Sequence, residues 1–328
     1  MIPYLLLLFG SGVLLFIAAN RMVKGVVFLA HYLQWREFVI AFFVMAIASS
    51  MPNLFVGISS ALHDIPELSF GDVIGSSVID LTLVVALIGL LGKKLSTLSN
   101  VVQVSSLITI AIAVLPMLLV MDGSLGRGDG AVLLLAFVFY SFWLFSKRRE
   151  HPGIFNHQEI EEPVRRFRRF LLSMADMAFS VLLMFLSAEG VVLAAKFFAV
   201  FLNIPIPLVG ILVIGLGSSL PELYFGVSAA RKGKYRVVFG ALMGSVIVAT
   251  TLVLGIVALI NPIEISDFSP FAIARVFLVV SALFFFFFVR SDRKVTRGEA
   301  FILLLLYVVF LAAEIFHHQL LRFFSFTL

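Results

Sequence analysis

The sequence contains no cysteine, and charged residues make up only 13% of its 328 residues. Without cysteine the chain forms neither disulfides nor thiolate metal sites, which fits a protein that does not depend on an oxidising compartment. A soluble domain carries about 25% charged residues, so this chain has too few charges to cover a water-facing surface. Hydrophobic residues make up 61% of it, in blocks long enough for the ~20 helical residues that cross a bilayer. We therefore expect an all-α integral membrane protein.

Hydrophobic blocks, separated by charged residues or by glycine and proline, predict ten transmembrane helices. Their approximate ranges are 2–20, 38–62, 70–91, 101–121, 130–146, 171–200, 205–230, 236–260, 269–290 and 299–317. No basic segment precedes the first block, so we expect a retained helix there rather than a cleaved signal peptide.

Lysine and arginine are concentrated in every second loop, and the fifth loop is both the longest and the most basic. Because basic residues collect in cytoplasmic loops, the alternation predicts that both termini lie outside. The net charge of +5 then reflects membrane topology rather than nucleic-acid binding. We expect a multi-pass protein of the plasma membrane, with the lipid bilayer and inorganic cations as its partners. A monomer suffices for this architecture, and the sequence leaves the oligomeric state open.

The second half of the sequence repeats the first at an offset of 169 residues, the separation of Ser49 and Ser218. Ser-Ser-Met-Pro-Asn-Leu aligns there with Ser-Ser-Leu-Pro-Glu-Leu, and several glycines follow at the same offset. An odd number of spans per half inverts the second half, a recurring transporter architecture with its substrate site near the midplane. The predicted units are a first five-helix repeat (1–146), a basic cytoplasmic linker (147–170) and a second five-helix repeat (171–328).

Each repeat places a proline inside a predicted helix, among oxygen-bearing side chains. A proline removes a backbone donor and clashes with the carbonyl one turn before it, so Pro52 and Pro221 should break their helices. Freed carbonyls are tolerated in a membrane only beside a cavity, an ion or another partner. The candidate ion-binding residues are Ser49, Ser50, Asn53, Ser76, Ser77, Asp80, Ser218, Ser219, Glu222 and Ser245. Such oxygen ligands suit hard cations like Ca²⁺ and Na⁺.

The acids are the strongest candidates in this set. A charged side chain at the bilayer centre costs roughly 3 kcal/mol or more and marks a functional site by default. We therefore expect Asp80 and Glu222, together with Asn53, to hold a metal ion. Asp72 shares a helical face with Ser76 and Asp80, because the three are spaced four residues apart. Serines also let helices pack closely, so packing explains any single serine about as well as ion binding does.

The two motifs resemble the alpha-repeats of the sodium/calcium exchanger family, in the calcium/cation antiporter superfamily. The resemblance rests on Ser-Ser-Met-Pro-Asn and Gly-Asp-Val-Ile-Gly-Ser-Ser in 46–91, and on Gly-Ser-Ser-Leu-Pro-Glu and Gly-Ala-Leu-Met-Gly-Ser-Val in 215–260. It covers both halves and implies ten transmembrane helices, four of which enclose the ion sites. It implies a secondary active antiporter, not an enzyme and without a cofactor, that exchanges Ca²⁺ for Na⁺ by alternating access. All the candidate residues except Ser77 match ligand positions of the family.

Asn53 and Ala249 depart from the family pattern. The family has Glu at both positions that follow the repeat prolines, and Asn or Asp where this chain has Ala249. The remaining acids, Asp80 and Glu222, neutralise one Ca²⁺, two Na⁺ or two protons. Because unpaired buried charge is costly, they predict electroneutral exchange. An H⁺-coupled exchanger, a carrier of another cation and a degenerate relative without transport stay open.

Hydrolase signatures are absent from the sequence. It has neither a His-Glu-x-x-His nor a Gly-x-Ser-x-Gly motif. Asp72 and Asp80 lie two turns apart on one predicted helix, whereas a protease dyad needs convergent acids. A channel is disfavoured because inverted repeats around a midplane site suit alternating access.

Overall fold

A computed structural model of the chain describes residues 1–32, 45–91, 95–96, 100–146, 163–233, 235–265, 268–290 and 294–325. The helices of the first half are α1 (Ile2–Tyr32), α2 (Met45–Ser49), α3 (Met51–Leu62), α4 (Pro66–Ile79), α5 (Val85–Leu91), α6 (Asn100–Leu119) and α7 (Arg127–Ser146). Those of the second half are α8 (Pro163–Leu202), α9 (Ile206–Val209), α10 (Gly215–Ser218), α11 (Leu220–Arg231), α12 (Tyr235–Ile247), α13 (Leu254–Ile260), α14 (Ala272–Arg290) and α15 (Arg297–Ser325). Helix α8 begins at Pro163, so the last part of the predicted linker is helical.

The helices confirm an all-α membrane protein. Within the described ranges, eight helical stretches are long and apolar enough to cross a membrane. Two further apolar helices, Met51–Leu62 and Ser106–Asp122, are shorter. The second predicted span begins at residue 38, outside the described residues, so the number of ten spans stays a prediction.

Wide turns of π type join several of these helices. In the described part of the chain they span Asp80–Val84, Gly210–Ile214 and Val248–Val253. The first and the last lie at equivalent positions of the repeat, because Asp80 aligns with Ala249. Widened turns of this kind are frequent at functional sites. The internal repeat therefore extends from the sequence to the local shape of the backbone.

The two central helical stretches are the most deeply buried parts of the bundle. Inside their most apolar windows, 83% of the residues of Pro66–Leu91 and 78% of those of Val238–Ile260 are buried, against 22% for Ile2–Leu29. Helix α1 packs along α8 at the side of the bundle, and an ion pair between Arg21 and Asp176 joins the two helices. Since α1 and α8 expose many apolar side chains, they form a lipid-facing layer beside the central helices.

Short antiparallel ladders connect loops of one half to loops of the other. Among the described residues, β1 (Leu95–Ser96) pairs with β4 (Lys294–Val295), and β2 (Ser124–Leu125) pairs with β3 (Ile263–Glu264). Paired strands must lie at the same end of the molecule. The third and ninth loops therefore share one end, and the fourth and eighth loops share an end as well. Two inverted five-helix halves predict this pairing, because they place the odd loops on one side of the membrane and the even loops on the other.

Candidate functional site

The helix breaks predicted at the two prolines are present, at equivalent residues. Helices α2 and α3 are separated by Ser50, and α10 and α11 by Ser219. The two serines adopt nearly the same conformation, with φ −84° and ψ 1° at Ser50, and φ −83° and ψ −5° at Ser219. Pro52 and Pro221 thereby fall in the first turn of a new helix, where a missing N–H removes no helical hydrogen bond.

The structure brings the candidate residues together in the centre of the bundle. All of them are described and buried: Ser49, Ser50, Asn53, Ser76, Ser77, Asp80, Ser218, Ser219, Glu222 and Ser245. They belong to the two broken helices and to the central helical stretches that begin with α4 and α12. The region therefore lies where the two halves of the chain meet.

The serines at the helix breaks bind across this junction in equivalent ways. Ser50 Oγ donates to the carbonyl oxygen of Ser245 at 3.4 Å, and Ser219 Oγ donates to that of Ser76 at 3.5 Å. Because Ser50 aligns with Ser219 and Ser76 with Ser245, the two bonds are repeat equivalents. Each half is thus hydrogen-bonded to the central helix of the other half.

Asp80 and Glu222 share the hydroxyl of Ser245. Its Oγ lies 2.9 Å from Glu222 Oε1 and 3.2 Å from Asp80 Oδ2. A serine hydroxyl has one proton to donate, so it satisfies one of these oxygens at a time. The two acids are only 5% and 3% exposed. Two carboxyl groups are therefore buried close together where the two halves meet.

Several acceptor oxygens at the junction have no donor. Asn53 Oδ1, Asp80 Oδ1 and Glu222 Oε2 are buried and have no hydrogen-bond partner among the described residues. Within the same ranges no lysine or arginine forms an ion pair with either acid. Buried acceptors without donors are rare in folded proteins, and buried charge is costly unless it is paired or binds a metal. The arrangement suits a cation or a proton at this position.

Asn53 occupies the place that Glu222 occupies in the other half. Asn53 Nδ2 donates to Ser76 Oγ at 3.1 Å, and Glu222 accepts from Ser245, the equivalent serine. No cluster of three or more His, Asp or Glu side chains with metal-binding geometry occurs in the part of the chain described. A cation bound at this junction therefore needs hydroxyl, amide or carbonyl oxygens in addition to the carboxylates.

Four of the candidate serines donate a hydrogen bond to the preceding turn of their own helix: Ser49, Ser76, Ser77 and Ser218. Ser77 Oγ donates to the carbonyl oxygen of Val73 at 2.6 Å, and Ser49 Oγ donates to that of Ala46 at 3.3 Å. Such bonds to the preceding turn are common for serine inside a helix. Ser49 also lines a cavity beside Glu222.

That cavity lies between α1, α11 and α12. It is lined by Asn20, Val23, Ser49, Pro221, Glu222, Phe225, Gly226, Val238, Ala241 and Leu242. Along α11 the lining runs from Glu222 toward the end of the helix, which carries Arg231. The cavity therefore extends from Glu222 toward the basic seventh loop.

Asp72, which is not among the candidate ligands named from the sequence, also belongs to this junction. Its side chain is 0% exposed. Ser218 Oγ, from the other half, donates to Asp72 Oδ1 at 2.8 Å. Asp72 Oδ2 has no hydrogen-bond partner in the described part of the chain. The four-residue spacing with Ser76 and Asp80 was the signal in the sequence that pointed to it.

Glycines allow α4 to touch the backbone of the other half. A Cβ atom at Gly71 or Gly75 would collide with the carbonyl oxygens of Pro207 and Ile211, and one at Gly215 would lie 2.8 Å from the nitrogen of Ser76. Real Cβ atoms do not come so close to backbone atoms, so larger residues would push the two segments apart. This close approach holds Asp72 of α4 against Ser218 of the second repeat.

Comparisons with known proteins agree with this geometry. The chain matches the family described as sodium/calcium exchanger protein over residues 3–146 and 172–316. It is 27% identical to the inner membrane protein YrbG of Escherichia coli strain K12, over 92% of this chain and 94% of that protein. It is 26% identical to the sodium/calcium exchanger MaX1 of Methanosarcina acetivorans, over 94% and 97% of the two chains. Among solved structures, the sodium-calcium exchanger NCX_Mj is similar with a TM-score of 0.65 and 25% identity, over 95% of this chain and 98% of that one.

Proposed function

We propose, since this chain belongs to the sodium/calcium exchanger family, that it exchanges Ca²⁺ for Na⁺ at the junction of its two halves. Members of this family are cation antiporters, not enzymes. The observation that carries the proposal is that Asp80 and Glu222 are both buried and both contact the hydroxyl group of Ser245. Each acid has an oxygen without a donor, and neither has a basic partner among the described residues.

The chemistry of the junction fits calcium. Ca²⁺ binds through about 6–8 oxygen atoms, and the junction offers carboxylate, hydroxyl, amide and carbonyl oxygens. The charges of Asp80 and Glu222 together match one Ca²⁺ or two Na⁺. Ca²⁺ and Na⁺ cannot bind to this pair of acids at the same time, because the two charges neutralise only one Ca²⁺ or two Na⁺. Binding of one ion therefore requires release of the other, and this couples their transport.

We further propose ten membrane spans, arranged as two five-helix halves (1–146 and 171–328) around the linker 147–170. Both termini then lie outside the cell, and the protein resides in the plasma membrane. The alternation of basic loops and the ladders between loops three and nine and between loops four and eight support this topology. A monomer contains both halves of the proposed site.

In this topology the seventh loop is cytoplasmic, so the cavity beside Glu222 lies on the cytoplasmic side. Transport requires that access to the acids then changes to the outer side. Inverted halves supply two packings of similar energy, related by exchanging the conformations of the two repeats. We propose that each half changes conformation at its helix break, at Ser50 or at Ser219.

The test is uptake of radioactive Ca²⁺ into proteoliposomes that hold the purified protein. An outward Na⁺ gradient and an outward H⁺ gradient are compared. Glu222→Gln keeps the shape of the side chain but removes its charge. Glu314→Gln is the matched control, because Glu314 is a further buried acid, on α15. One of its oxygens has no hydrogen-bond partner, and within the described ranges it makes no hydrogen bond to the site residues.

We expect uptake with the Na⁺ gradient, and a loss of about 10- to 100-fold in Glu222→Gln, since a hydrogen bond or contact to a charged group contributes about 1.5–3 kcal/mol. Glu314→Gln should transport like the unchanged protein. Uptake driven only by the H⁺ gradient would identify a proton-coupled exchanger. No uptake with either gradient, from folded protein, would contradict calcium transport.

A further inference from the structure

A histidine and a glutamate from different helices meet beside the second loop. His63 directly follows α3, and Glu189 lies on α8. Nε2 of His63 is 3.4 Å from Oε2 of Glu189, and the two side chains are 29% and 26% exposed. His63 comes ten residues after Asn53, which corresponds to about 15 Å of helix. The pair is therefore open to water and separate from the acids at the junction.

The hydrogen bonds of His63 determine which of its ring nitrogens is free. Nδ1 lies 2.9 Å from the carbonyl oxygen of Ser59, and a carbonyl oxygen can only accept. Nδ1 must therefore carry a proton, which leaves the lone pair of a neutral imidazole on Nε2. Nε2 is the nitrogen that lies beside Glu189. Two acceptors then face each other, unless a cation lies between them.

The distance between these two atoms fits a bridging metal ion better than a shared proton. A hydrogen bond between an imidazolium and a carboxylate is about 2.7–2.9 Å long, so 3.4 Å is too long for one. Zinc binds histidine nitrogen at about 2.0–2.1 Å and carboxylate oxygen at about 2.0–2.2 Å, and two tetrahedral ligands at these lengths lie about 3.4 Å apart. His63 and Glu189 are thus spaced as neighbouring ligands of one tetrahedral ion.

Both side chains are also held in the way that metal ligands usually are. Ser59 accepts from Nδ1 of His63 through its carbonyl oxygen, and its hydroxyl donates to Oε1 of Glu189 at 2.8 Å. Lys196 of α8 donates to the carbonyl oxygen of His63 at 2.7 Å. A histidine that ligates a metal almost always donates its other N–H to a carbonyl or carboxylate group, and ligating carboxylates are hydrogen-bonded in turn. The pair is therefore oriented before an ion binds.

The repeat shows that the fold does not require this pair. At the offset of 169 residues, Glu189 aligns with Asn20 and His63 aligns with Lys232, so the other half has no equivalent pair. Asn20 lines the cavity beside Glu222. If the two repeats exchange conformations, a cavity opens on the opposite side, beside Glu189. An ion shared by His63 and Glu189 would join α3 to α8 and keep that cavity closed.

We propose that His63 and Glu189 bind a divalent transition-metal ion such as Zn²⁺, with water as the remaining ligands, and that the bound ion keeps the outer access to the junction closed. Imidazole suits Zn²⁺, whereas Ca²⁺ prefers oxygen ligands, so the ion is an inhibitor and is not transported. The second loop lies outside in the proposed topology, so the ion reaches this site from outside the cell. The closure rests on the proposed exchange, whereas the metal site does not.

Binding of Zn²⁺ to the purified full-length protein tests the site, with excess Ca²⁺ present to occupy the junction. Co²⁺ is a second probe, because its absorption spectrum distinguishes tetrahedral from octahedral ligation. His63→Gln and Glu189→Gln each remove one ligand. Glu264→Gln is the matched control, because Glu264 is an exposed acid of the eighth loop, which is hydrogen-bonded to the second loop.

We expect the unchanged protein to bind one Zn²⁺ that Ca²⁺ does not displace. The Zn²⁺ dissociation constant should rise at least about tenfold in His63→Gln and in Glu189→Gln, since loss of a group that merely supports a ligand already costs about 10- to 100-fold. Glu264→Gln should bind like the unchanged protein. No Zn²⁺ binding by the unchanged protein, or equal affinity in both ligand variants, would overturn the inference. Zn²⁺ binding that is lost in Glu222→Gln instead would place the ion at the junction and overturn it as well.

The closure is tested by transport. External Zn²⁺ should slow Ca²⁺ uptake into proteoliposomes that hold the unchanged protein, and a higher Zn²⁺ concentration should be needed with His63→Gln. Equal inhibition of the two proteins would overturn the proposed closure. A protein without exchange activity shows no uptake but still binds Zn²⁺ at this pair, so a failure of the exchange function is distinguishable from a failure of the metal site.

Discussion

At the scale of single residues, the molecule shows how one repeat yields two different half-sites. Asn53 and Glu222 occupy equivalent places after equivalent prolines, and each contacts the equivalent serine, Ser76 or Ser245. The backbone is the same at both places, so the difference between them is chemical. The amide donates to its serine, whereas the carboxylate accepts, and only the carboxylate adds charge.

Restoring a charge at Asn53 tests this comparison. We expect Asn53→Glu to raise the Ca²⁺ affinity about tenfold, which corresponds to ~1.4 kcal/mol, because a third carboxylate then faces the proposed calcium position. Equilibrium binding of radioactive Ca²⁺ to purified protein measures the change. Asn53→Gln lengthens the side chain without adding charge and is the control. Unchanged or weaker Ca²⁺ binding by Asn53→Glu would speak against the equivalence of the two positions.

At the scale of elements, the site depends on the contact between α4 and the segment that contains α9 and α10. Gly71 and Gly75 face carbonyl oxygens of that segment, and Gly215 faces a backbone nitrogen of α4. Asp72 of α4 reaches Ser218 of α10 because no side chain separates the two backbones. Small residues at helix interfaces serve this purpose in membranes generally.

A methyl group at Gly75 should separate the two segments. We expect Gly75→Ala to lower the unfolding free energy by about 1–3 kcal/mol, the usual cost of overpacking, and to reduce Ca²⁺ uptake. The control is Gly217→Ala, because a Cβ at Gly217 meets nothing within 4 Å and alanine favours the helix by roughly 1 kcal/mol. Thermal unfolding in detergent compares the two variants. Equal stability of both would refute the role assigned to the close approach.

The helix breaks could be predicted from the sequence, but the smaller elements could not. Pro52 and Pro221 break a helix through their own rings and their missing N–H groups. The breaks can therefore be predicted from the local sequence alone. The π turns at Asp80 and Val248 carry no such local signal. The strand pairs depend on loops far apart in the chain, Leu95 with Val295 and Ser124 with Glu264, and strands of two residues have no periodicity to detect.

The same distinction applies to the candidate site. The spacing of residues on α4 placed Asp72 on the correct face, but its contact with Ser218 joins residues 146 positions apart. Nothing local in the sequence encodes that contact. The hydrogen bond of Ser77 to its own helix could not be predicted from the sequence either. A serine that binds an ion and a serine that packs between helices cannot be distinguished in a run of small residues.

At the scale of the whole molecule, the two halves are expected to cross the membrane in opposite directions. The ladders put loops three and nine at one end, and put loops four and eight together. The basic residues of the odd loops predict that the first of these ends is cytoplasmic. Ser96 and Ser124 then lie on opposite sides of the membrane.

The absence of cysteine makes this topology easy to test. Single variants Ser96→Cys and Ser124→Cys each carry one thiol. We expect a membrane-impermeant thiol reagent to label Ser124→Cys from outside the cell and Ser96→Cys only in inverted vesicles, because the two loops lie at opposite ends of the molecule. The unchanged protein is the control and should not react. Labelling of both variants from the same side would contradict the inverted arrangement.

The most direct test of the exchange records Ca²⁺ entry and Na⁺ exit in the same proteoliposomes. We predict that the two fluxes start together when external Ca²⁺ is added, stop together when luminal Na⁺ is replaced by choline, and are both lost in Glu222→Gln. This follows if both ions compete for the acids Asp80 and Glu222. Ca²⁺ entry that continues without luminal Na⁺, or Na⁺ exit that continues without external Ca²⁺, would contradict coupled exchange of these two ions at this site.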